Sequence, residues 1–179
     1  SVMKGYLKMP LLVGGTLSSW VEHVKPSDQH KHRVLMQVLQ GLEHLHRNRI
    51  IHCDIKPGNI LMTCKDERAE PQIADFDVSR EQEDRARELA ATVTATLAMG
   101  TLSYMAPELL DPSTSKKQLS HKCDMYSYGL VMLEVLTEVW TSGSRRENIT
   151  AMVVRLQEEA KDLVSRLIDS NPSMRPSSV

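Results

Sequence analysis

The feature that most constrains this fold is a helix that is apolar on almost every side. Ser120 is a residue type that caps helices, and the stretch after it is apolar at positions all around a helical axis. Those positions are Met125, Tyr128, Gly129, Met132, Leu133 and Leu136. A helix without a polar face is normally enclosed by other elements. The sequence therefore predicts a fold built around one central, buried helix.

A second strong helix is predicted behind Pro26-Ser27-Asp28, which is a helix-start signal. Its apolar residues recur at helical spacing up to about Arg47, and they are Val34, Leu35, Val38, Leu39, Leu42 and Leu45. Shorter helices are predicted from Thr16 to about His23, over Asn148–Leu156 and over Glu159–Ile168. The chain is therefore expected to be mostly helical.

Short strands are predicted between the helices. Ile50–Ile51, 60–62 and 72–74 are brief apolar segments, and the charged segment 64–71 is expected to be the loop of a hairpin between the last two. The predicted fold class is α+β, predominantly α-helical, with short β-hairpin strands.

Two further segments carry weaker predictions. Tyr6–Leu12 is expected to be a buried strand that enters a turn at Gly14-Gly15. Ser79–Met99 is charged at first and then rich in Ala and Thr, without a steady apolar period, which predicts a mobile loop.

Composition excludes several classes of partner. The chain has 179 residues with 22 Lys and Arg against 23 Asp and Glu, so its net charge of −1 gives no field that would attract a nucleic acid. Apolar runs such as Met9–Val13 are far too short to cross a membrane. The three cysteines have no metal-ligand spacing, which is typical of free thiols in a reducing, cytoplasmic compartment.

A rigid polar loop lies between apolar strands at Ile51–Leu61. It places a carboxylate (Asp54), an ammonium (Lys56) and a carboxamide (Asn59) within six residues. A polar surface turn also uses Asp, Pro, Gly and Asn, so that interpretation stays open. The flanking apolar strands favour a loop that holds its polar side chains in place.

A second acidic site, Asp75-Phe76-Asp77, directly follows an apolar strand. Carboxylate oxygens are ligands that Mg²⁺ prefers. Asp54, Asn59 and Asp75 together could hold a metal-bound phosphate and accept a proton from a hydroxyl group. This set of side chains predicts phosphoryl transfer.

These motifs and others further along resemble the C-terminal lobe of a eukaryotic protein kinase. The matching segments, in the family's order, are His52–Asn59, Asp75–Asp77, Gly100–Glu108, Asp124–Gly129 and Asn171–Pro176. The resemblance implies that residues 1–179 are a kinase domain fragment comprising the hinge and the C-terminal lobe. The N-terminal lobe is expected to be missing, or present only as its last strand, and to lie upstream in a longer parent chain.

The resemblance implies a role for each matching polar residue. Asp54 would be the catalytic base, and Lys56 would neutralise charge on the transferred phosphoryl group. Asn59 and Asp75 would hold Mg²⁺, and Thr101 would hydrogen-bond to Asp54 and Lys56. A lysine two residues after the catalytic Asp is similar to Ser/Thr kinases more than to Tyr kinases.

Other residues would bind the nucleotide. Met9, Pro10 and Leu12 resemble the gate and hinge that hold adenine, and the resemblance adds Leu61 to this set. Pro10 can offer only its carbonyl group, because proline has no amide hydrogen. The implied cofactors are ATP and Mg²⁺, and the implied partner is a protein substrate.

Three residues would have structural roles. The resemblance implies that Asp124 holds the catalytic-loop backbone from below and that Glu108 pairs with Arg175.

The chain also departs from the family at two positions, with Cys53 in place of an Arg that pairs with a loop phosphate and Asp77 in place of a Gly. A thiol cannot pair with a phosphate as a guanidinium does.

The implied function is that of a protein serine/threonine kinase, of which this fragment alone is expected to be inactive. Two alternatives stay open. The first is a pseudokinase or allosteric binding module without turnover, favoured by Cys53, Asp77 and the unmatched N-terminal lobe. The second is an unrelated metal-dependent hydrolase, which would show metal-dependent turnover without nucleotide dependence.

Overall fold

The computed structural model describes residues 10–81, 102–110, 120–140 and 146–178. The helices in these ranges are α1 (Leu17–Val24), α2 (Asp28–Arg47), α3 (Pro107–Leu110), α4 (Lys122–Thr137), α5 (Arg146–Val154) and α6 (Glu158–Leu167). The strands are β1 (Ile50–Ile51), β2 (Ile60–Met62), β3 (Pro71–Ile73) and β4 (Arg80–Glu81). Single 3₁₀ turns cover Pro57–Asn59, Leu102–Tyr104 and Pro172–Met174. The predicted α+β, predominantly helical class is confirmed.

The central helix is α4, as the sequence predicts. Every residue from Cys123 to Val135 is buried. The Tyr128 hydroxyl donates a hydrogen bond of 3.0 Å to the Leu35 carbonyl of α2, and burial raises the pKa of this phenol. The helix begins at Lys122, slightly later than predicted, and the Ser120 hydroxyl accepts a 3.3 Å bond from the Lys122 amide. Burial on all sides therefore follows from the absence of a polar face.

The two N-terminal helices begin where the sequence predicts. The Thr16 hydroxyl caps α1 by accepting a hydrogen bond of 3.3 Å from the Ser19 amide. The second helix, α2, begins at Asp28 and ends at Arg47, and its apolar face belongs to the same core as α4. Helices α5 and α6 match the two predicted C-terminal helices within two residues at each end.

The described ranges also contain two small antiparallel strand pairs. As predicted, β2 and β3 form a hairpin, and β3 begins one residue earlier than predicted and ends at Ile73. The register pairs Ile60 with Ile73, Leu61 with Gln72 and Met62 with Pro71. The other pair joins β1 to β4, with Ile51 opposite Arg80.

Two predictions about strands and loops need correction. The Ser79–Met99 loop prediction is wrong at Arg80–Glu81, which form strand β4. A strand of two residues shows no alternation of apolar and polar side chains, and β4 is stabilised by its distant partner β1. Residues 82–99 lie outside the described ranges. The predicted strand Tyr6–Leu12 is wrong for residues 10–12, which form no strand. Leu11 is 88% exposed there, and residues 6–9 lie outside the described ranges.

No helix in the part of the chain that the structure describes is both long enough and apolar enough to span a membrane.

Gly129 allows α4 to pack closely against α6, and its replacement tests that packing. A Cβ at Gly129 would lie 2.7 Å from Leu167 Cβ and 2.9 Å from Ile168 Cγ2. We expect Gly129→Ala to lower the free energy of unfolding by about 1–3 kcal/mol, because overpacking outweighs a helix-propensity gain of about 1 kcal/mol. Gly41→Ala is the matched control. Its Cβ would lie 3.0 Å from Cδ1 of Ile73, the end of a side chain that can shift to make room. Urea unfolding measures both, and equal stability of the two variants would contradict this packing.

Candidate active site

The polar side chains of the loop after β1 converge on one carboxylate. Lys56 Nζ donates a hydrogen bond of 2.8 Å to Asp54 Oδ2. Asn59 Nδ2 donates to the same oxygen at 2.8 Å and to the Asp54 carbonyl at 2.9 Å. Asp54 is 8% exposed, so these contacts form at the edge of the core rather than in bulk water. The alternative of an ordinary surface turn does not fit this burial.

The two Asp54 oxygens differ in their surroundings. Oδ2 accepts from Lys56 and Asn59, whereas Oδ1 accepts no hydrogen bond from the residues that the structure describes. A carboxylate oxygen held in place in this way can accept a hydrogen bond from a bound hydroxyl group. The arrangement therefore supplies an oriented acceptor with a cation 2.8 Å from its neighbouring oxygen.

The backbone of this loop is held by Asp124 of α4, which is fully buried. Its Oδ2 accepts from the His52 amide at 2.8 Å and its Oδ1 accepts from the Cys53 amide at 2.8 Å. His46 Nε2 of α2 lies 2.8 Å from the same Oδ2. Cys53 has a φ of 66°, a left-handed conformation that is unfavourable for a residue with a side chain. The two hydrogen bonds from the His52 and Cys53 amides to Asp124 stabilise this turn. This is the role that the resemblance implies for Asp124.

His52 links the loop to the segment after β3. Its Nδ1 accepts from the Asp54 amide at 3.3 Å, so its Nε2 carries the hydrogen and donates to the Ala74 carbonyl at 3.0 Å. The Ala74 amide in turn donates to the Asn59 carbonyl at 2.8 Å. Asp75 follows directly with a φ of 65°. These bonds connect the loop that carries Asn59 to the residue before Asp75.

Asn59 and Asp75 suit a magnesium ion. The Asn59 amide nitrogen is taken up by Asp54, which leaves its oxygen as the atom available to a cation. Asp75 is exposed and offers carboxylate oxygens. Mg²⁺ in proteins is commonly bound by one or two such oxygens, with water and phosphate as the other ligands. Within the described ranges no group of three or more His, Cys, Asp and Glu side chains gathers as a metal site.

Cys53 lies in an apolar environment. It is 8% exposed and belongs to a small cluster with Ile51, Ala106, Cys123, Tyr126 and Leu130. A hydrogen bond with the Cys53 thiol, together with burial, raises the pKa of the Cys123 thiol, so that thiol stays uncharged. The Cys53 thiol itself therefore offers no cation to an anionic group.

The residues predicted to bind adenine are described in part. Met9 lies outside the described ranges, as does Thr101 of the predicted catalytic set. Pro10 is exposed, and Leu12 and Leu61 are half-buried. The segment after Leu12 pairs with β2, because the Gly14 amide donates to the Met62 carbonyl at 3.0 Å. The structure therefore brings the segments of Leu12 and Leu61 together.

The Glu108–Arg175 pair is present and bidentate. Arg175 Nη1 and Nη2 lie 2.6 and 2.7 Å from Glu108 Oε1 and Oε2. The guanidinium group also donates to the Asp169 carbonyl at 2.7 Å and to the Lys122 carbonyl at 2.9 Å, and it lies 4.9 Å from the centre of the Tyr126 ring. One buried side chain thus joins α3, the start of α4 and the turn after α6.

Sequence reasoning assigned no role to His46 or His52. Both are buried and both contact the loop or its carboxylate support. The signal that could have pointed to His52 is its position between the apolar strand β1 and Asp54. The sequence gives less indication of a role for His46. It lies in the last turn of α2, where polar and basic residues are common in any helix.

Comparison with known proteins gives a consistent result. A family model described as "Protein kinase domain" matches residues 3–179. The chain is similar to ribosomal protein S6 kinase alpha-1 of Homo sapiens and ribosomal protein S6 kinase 2 alpha of Xenopus laevis, each 31% identical over 182 residues. Each alignment covers 96% of this chain and 23% of the relative. It is also 38% identical over 105 residues to the serine/threonine-protein kinase STY46 of Arabidopsis thaliana, covering 59% of this chain and 16% of that protein. The chain thus spans a quarter or less of the length of these curated relatives.

Proposed function

Because this chain belongs to the protein kinase family, we propose that it provides the catalytic loop and metal-binding residues of a protein serine/threonine kinase. The reaction would transfer the γ-phosphoryl group of ATP to Ser or Thr hydroxyl groups of a protein substrate. In this proposal residues 1–179 comprise the hinge and the C-terminal lobe. An N-terminal lobe in a longer parent chain would cover the nucleotide.

The observation that carries this proposal is the convergence on Asp54. Oδ2 accepts from Lys56 and Asn59 at 2.8 Å each, and Oδ1, which accepts no hydrogen bond from the described residues, would receive the substrate hydroxyl group. A non-catalytic binding module has no use for a carboxylate oriented in this way beside a cation. The geometry supports a catalytic protein over the alternative of a pseudokinase.

The chain's own residues would act as follows. Asp54 would orient the substrate hydroxyl group and accept its proton as the new oxygen–phosphorus bond forms and the bond between the γ-phosphorus and the ADP oxygen breaks, so that ADP leaves. Lys56 would neutralise negative charge on the transferred phosphoryl group. When bound, Mg²⁺ would supply charge neutralisation at the phosphates, and Asn59 and Asp75 would hold it. The Thr101 contact with Asp54 stays a prediction.

The proposal also covers the binding of adenine and the dependence of activity on phosphorylation. The Leu12 amide and carbonyl would bind the adenine base, and Met9, Pro10 and Leu61 would contribute to the same site. Cys53 lies in an apolar cluster, so we infer that activity does not depend on a phosphate paired at this position.

The kind of product tests the proposed class. We expect the full-length protein, given ATP, Mg²⁺ and a mixed pool of peptides, to form phosphoserine and phosphothreonine but no phosphotyrosine. Phosphoamino-acid analysis measures this directly. Chelation of Mg²⁺ serves as the control and should abolish product, because the metal would carry most of the charge neutralisation. Phosphotyrosine as the main product would contradict the proposed class, and phosphate release that does not need ATP would favour the hydrolase alternative.

A further inference from the structure

Two histidine rings meet at the junction between α2 and α4. The ring centres of His46 and His121 lie 5.3 Å apart, and the ring planes are tilted by 45°. His46 lies in the last turn of α2 and is 6% exposed, whereas His121 directly precedes α4 and is half-buried. His121 takes no part in the proposed phosphoryl transfer. We call these two rings the histidine pair.

His46 has a partner at each ring nitrogen. Nε2 lies 2.8 Å from Asp124 Oδ2, so it carries a hydrogen and donates to this carboxylate. In the neutral ring Nδ1 is then the acceptor, and it lies 2.5 Å from the Ser178 hydroxyl group. Asp124 also accepts from the two catalytic-loop amides. His46 therefore connects the support of the catalytic loop to the segment that follows Arg175.

His121 contacts the neighbouring hydroxyl group, because its Nε2 lies 3.1 Å from Ser177 Oγ. The histidine pair thus contacts two successive serines, one with each ring, and we call residues 177–178 the serine segment. Ser177 is exposed and Ser178 is half-buried, while every residue of α4 from Cys123 to Val135 is buried. Of the parts that meet at the pair, the serine segment can leave with the least loss of buried surface.

A proton on His121 is unfavourable in the folded chain. Partial burial is the largest cause, and repulsion from His46 and Lys122 adds to it, so the pKa of His121 lies below its ordinary value although Asp124 attracts the charge. His121 also precedes the first turn of α4, where the helix dipole disfavours a cation. Since the ring is half-buried, it can reach water by rotating away from the pair.

The other charges at this junction are held in place. Lys122 Nζ donates a hydrogen bond of 2.7 Å to the Arg175 carbonyl, and the Arg175 guanidinium is paired with Glu108. The serine segment contributes hydroxyl groups to the histidine pair rather than charges. Repulsion on a charged His121 is therefore relieved by movement of His121 itself and not by movement of its neighbours.

We propose that the histidine pair is a pH-dependent latch on the serine segment. At neutral pH, uncharged His121 stays beside His46 and contacts Ser177. In acid, His121 takes up a proton and its ring turns out to water, so the Ser177 contact is lost and water reaches Ser178 and Nδ1 of His46. The latch involves no step of phosphoryl transfer, so it is tested on the protein without ATP.

Proton linkage gives the first test. In the unfolded chain His121 takes up its proton near the ordinary histidine pKa of about 6.5, whereas the folded chain resists that proton. The contribution of neutral His121 to stability is therefore complete above this pH and is lost as the pH falls from there through the lower pKa of the folded state. We expect this group to raise the unfolding equilibrium constant about three- to eight-fold between about pH 7.5 and 5.5.

Urea unfolding of the 179-residue chain and of two variants measures this contribution. His121→Gln can still contact Ser177 but takes up no proton, so it should lack this part of the pH dependence. His44→Gln is the matched control, because His44 is an exposed histidine of α2 and its replacement should leave the pH dependence in place.

The second test follows the latch itself through the ¹H–¹⁵N heteronuclear NOE of the Ser177 and Ser178 amides. We expect high values at neutral pH and a fall in acid, both in the unaltered chain and in His44→Gln. His121→Gln should keep the values high at both pH values, because its side chain stays uncharged. His121→Lys carries a charge throughout and should give low values already at neutral pH, with circular dichroism confirming that the helices are retained.

Three results would overturn the latch. The first is a serine segment that stays ordered while the His121 ring signal titrates, and the second is an equal loss of order in His121→Gln. The third is a His121 ring that titrates at or above its ordinary pKa, or stays neutral down to about pH 4. Asp54→Asn should leave all these readouts unchanged. Failure of the latch would therefore not count against the proposed function, and absence of phosphoryl transfer would not count against the latch.

Discussion

Replacing Asp54 by Asn is expected to lower the rate of phosphoryl transfer by the full-length protein about 1,000-fold, which is typical for loss of a general base. The substitution keeps the size of the side chain, and its remaining oxygen can still accept from Lys56 or Asn59. It removes the negative charge that accepts the substrate proton. Because this charge acts mainly in the transition state, kcat should fall while the affinity for ATP changes little.

The measurement is steady-state transfer to a Ser/Thr peptide, with nucleotide affinity and melting temperature determined on the same preparations. Asp162→Asn on α6 is the matched control, because this carboxylate is 69% exposed and pairs with Arg166 one helical turn away. It should retain full activity. Unchanged transfer by Asp54→Asn would refute the role of Asp54, and a large fall in melting temperature would mean that the loss of activity reflects unfolding.

The parts of the fold that the sequence predicts well are those with a strong local signal. The apolar surface of α4 predicts its burial, and the start signal at Pro26-Ser27-Asp28 predicts the beginning of α2. Both signals are carried by side chains within the element itself. The pairing of β2 with β3 is also local, because a hairpin joins neighbouring segments of chain.

The parts that could not be predicted depend on distant partners. Arg80–Glu81 is a strand only because β1 lies beside it, and nothing in two residues indicates that partner. Leu11 is apolar yet 88% exposed, so apolar character alone did not indicate burial. The meeting of the Cys53 and Cys123 thiols in one cluster joins residues seventy positions apart, which no spacing rule for cysteines predicts.

The candidate site shows the same division. Asp54, Lys56 and Asn59 lie within six residues, so a tight turn necessarily brings them close, and the sequence could predict their grouping. The hydrogen bonds that orient the group come from elsewhere. Asp124 in α4 accepts from two loop amides, and His52 donates to the Ala74 carbonyl after β3. The packing of α4 and β3 against the loop holds its backbone in place, and Lys56 and Asn59 then contact Oδ2 rather than Oδ1 of Asp54.

Arg175→Ala is expected to lower the free energy of unfolding by about 3–5 kcal/mol, the range for removal of one partner of a buried ion pair. The Arg175 side chain is fully buried, and Glu108 is 16% exposed. The substitution leaves the Glu108 carboxylate without its guanidinium partner and removes donors from the Asp169 and Lys122 carbonyls. For a chain of this size the melting temperature should fall by about 10 °C or more.

Arg166→Ala on α6 is the matched control, because Arg166 is 58% exposed and its pair with Asp162 joins residues of one helix. Exposed pairs of this kind contribute about 0.3–0.5 kcal/mol, so its melting temperature should change by at most a degree or two. Equal melting temperatures for the Arg175 and Arg166 variants would contradict the buried position of Arg175.

A double-mutant cycle separates the ion pair from the other contacts of Arg175. Glu108→Gln removes the charge that Arg175→Ala separates from its guanidinium partner, so the double variant should be less destabilised than the sum of the two single variants. Lost hydrogen bonds to the Asp169 and Lys122 carbonyls are the same in both backgrounds and cancel from the coupling energy. A coupling of about 1–3 kcal/mol would assign the effect to the pair, because residues in one buried ionic network couple in that range. A coupling near zero would instead mean that Arg175 stabilises the fold mainly through its contacts with the Asp169 and Lys122 carbonyls and the Tyr126 ring.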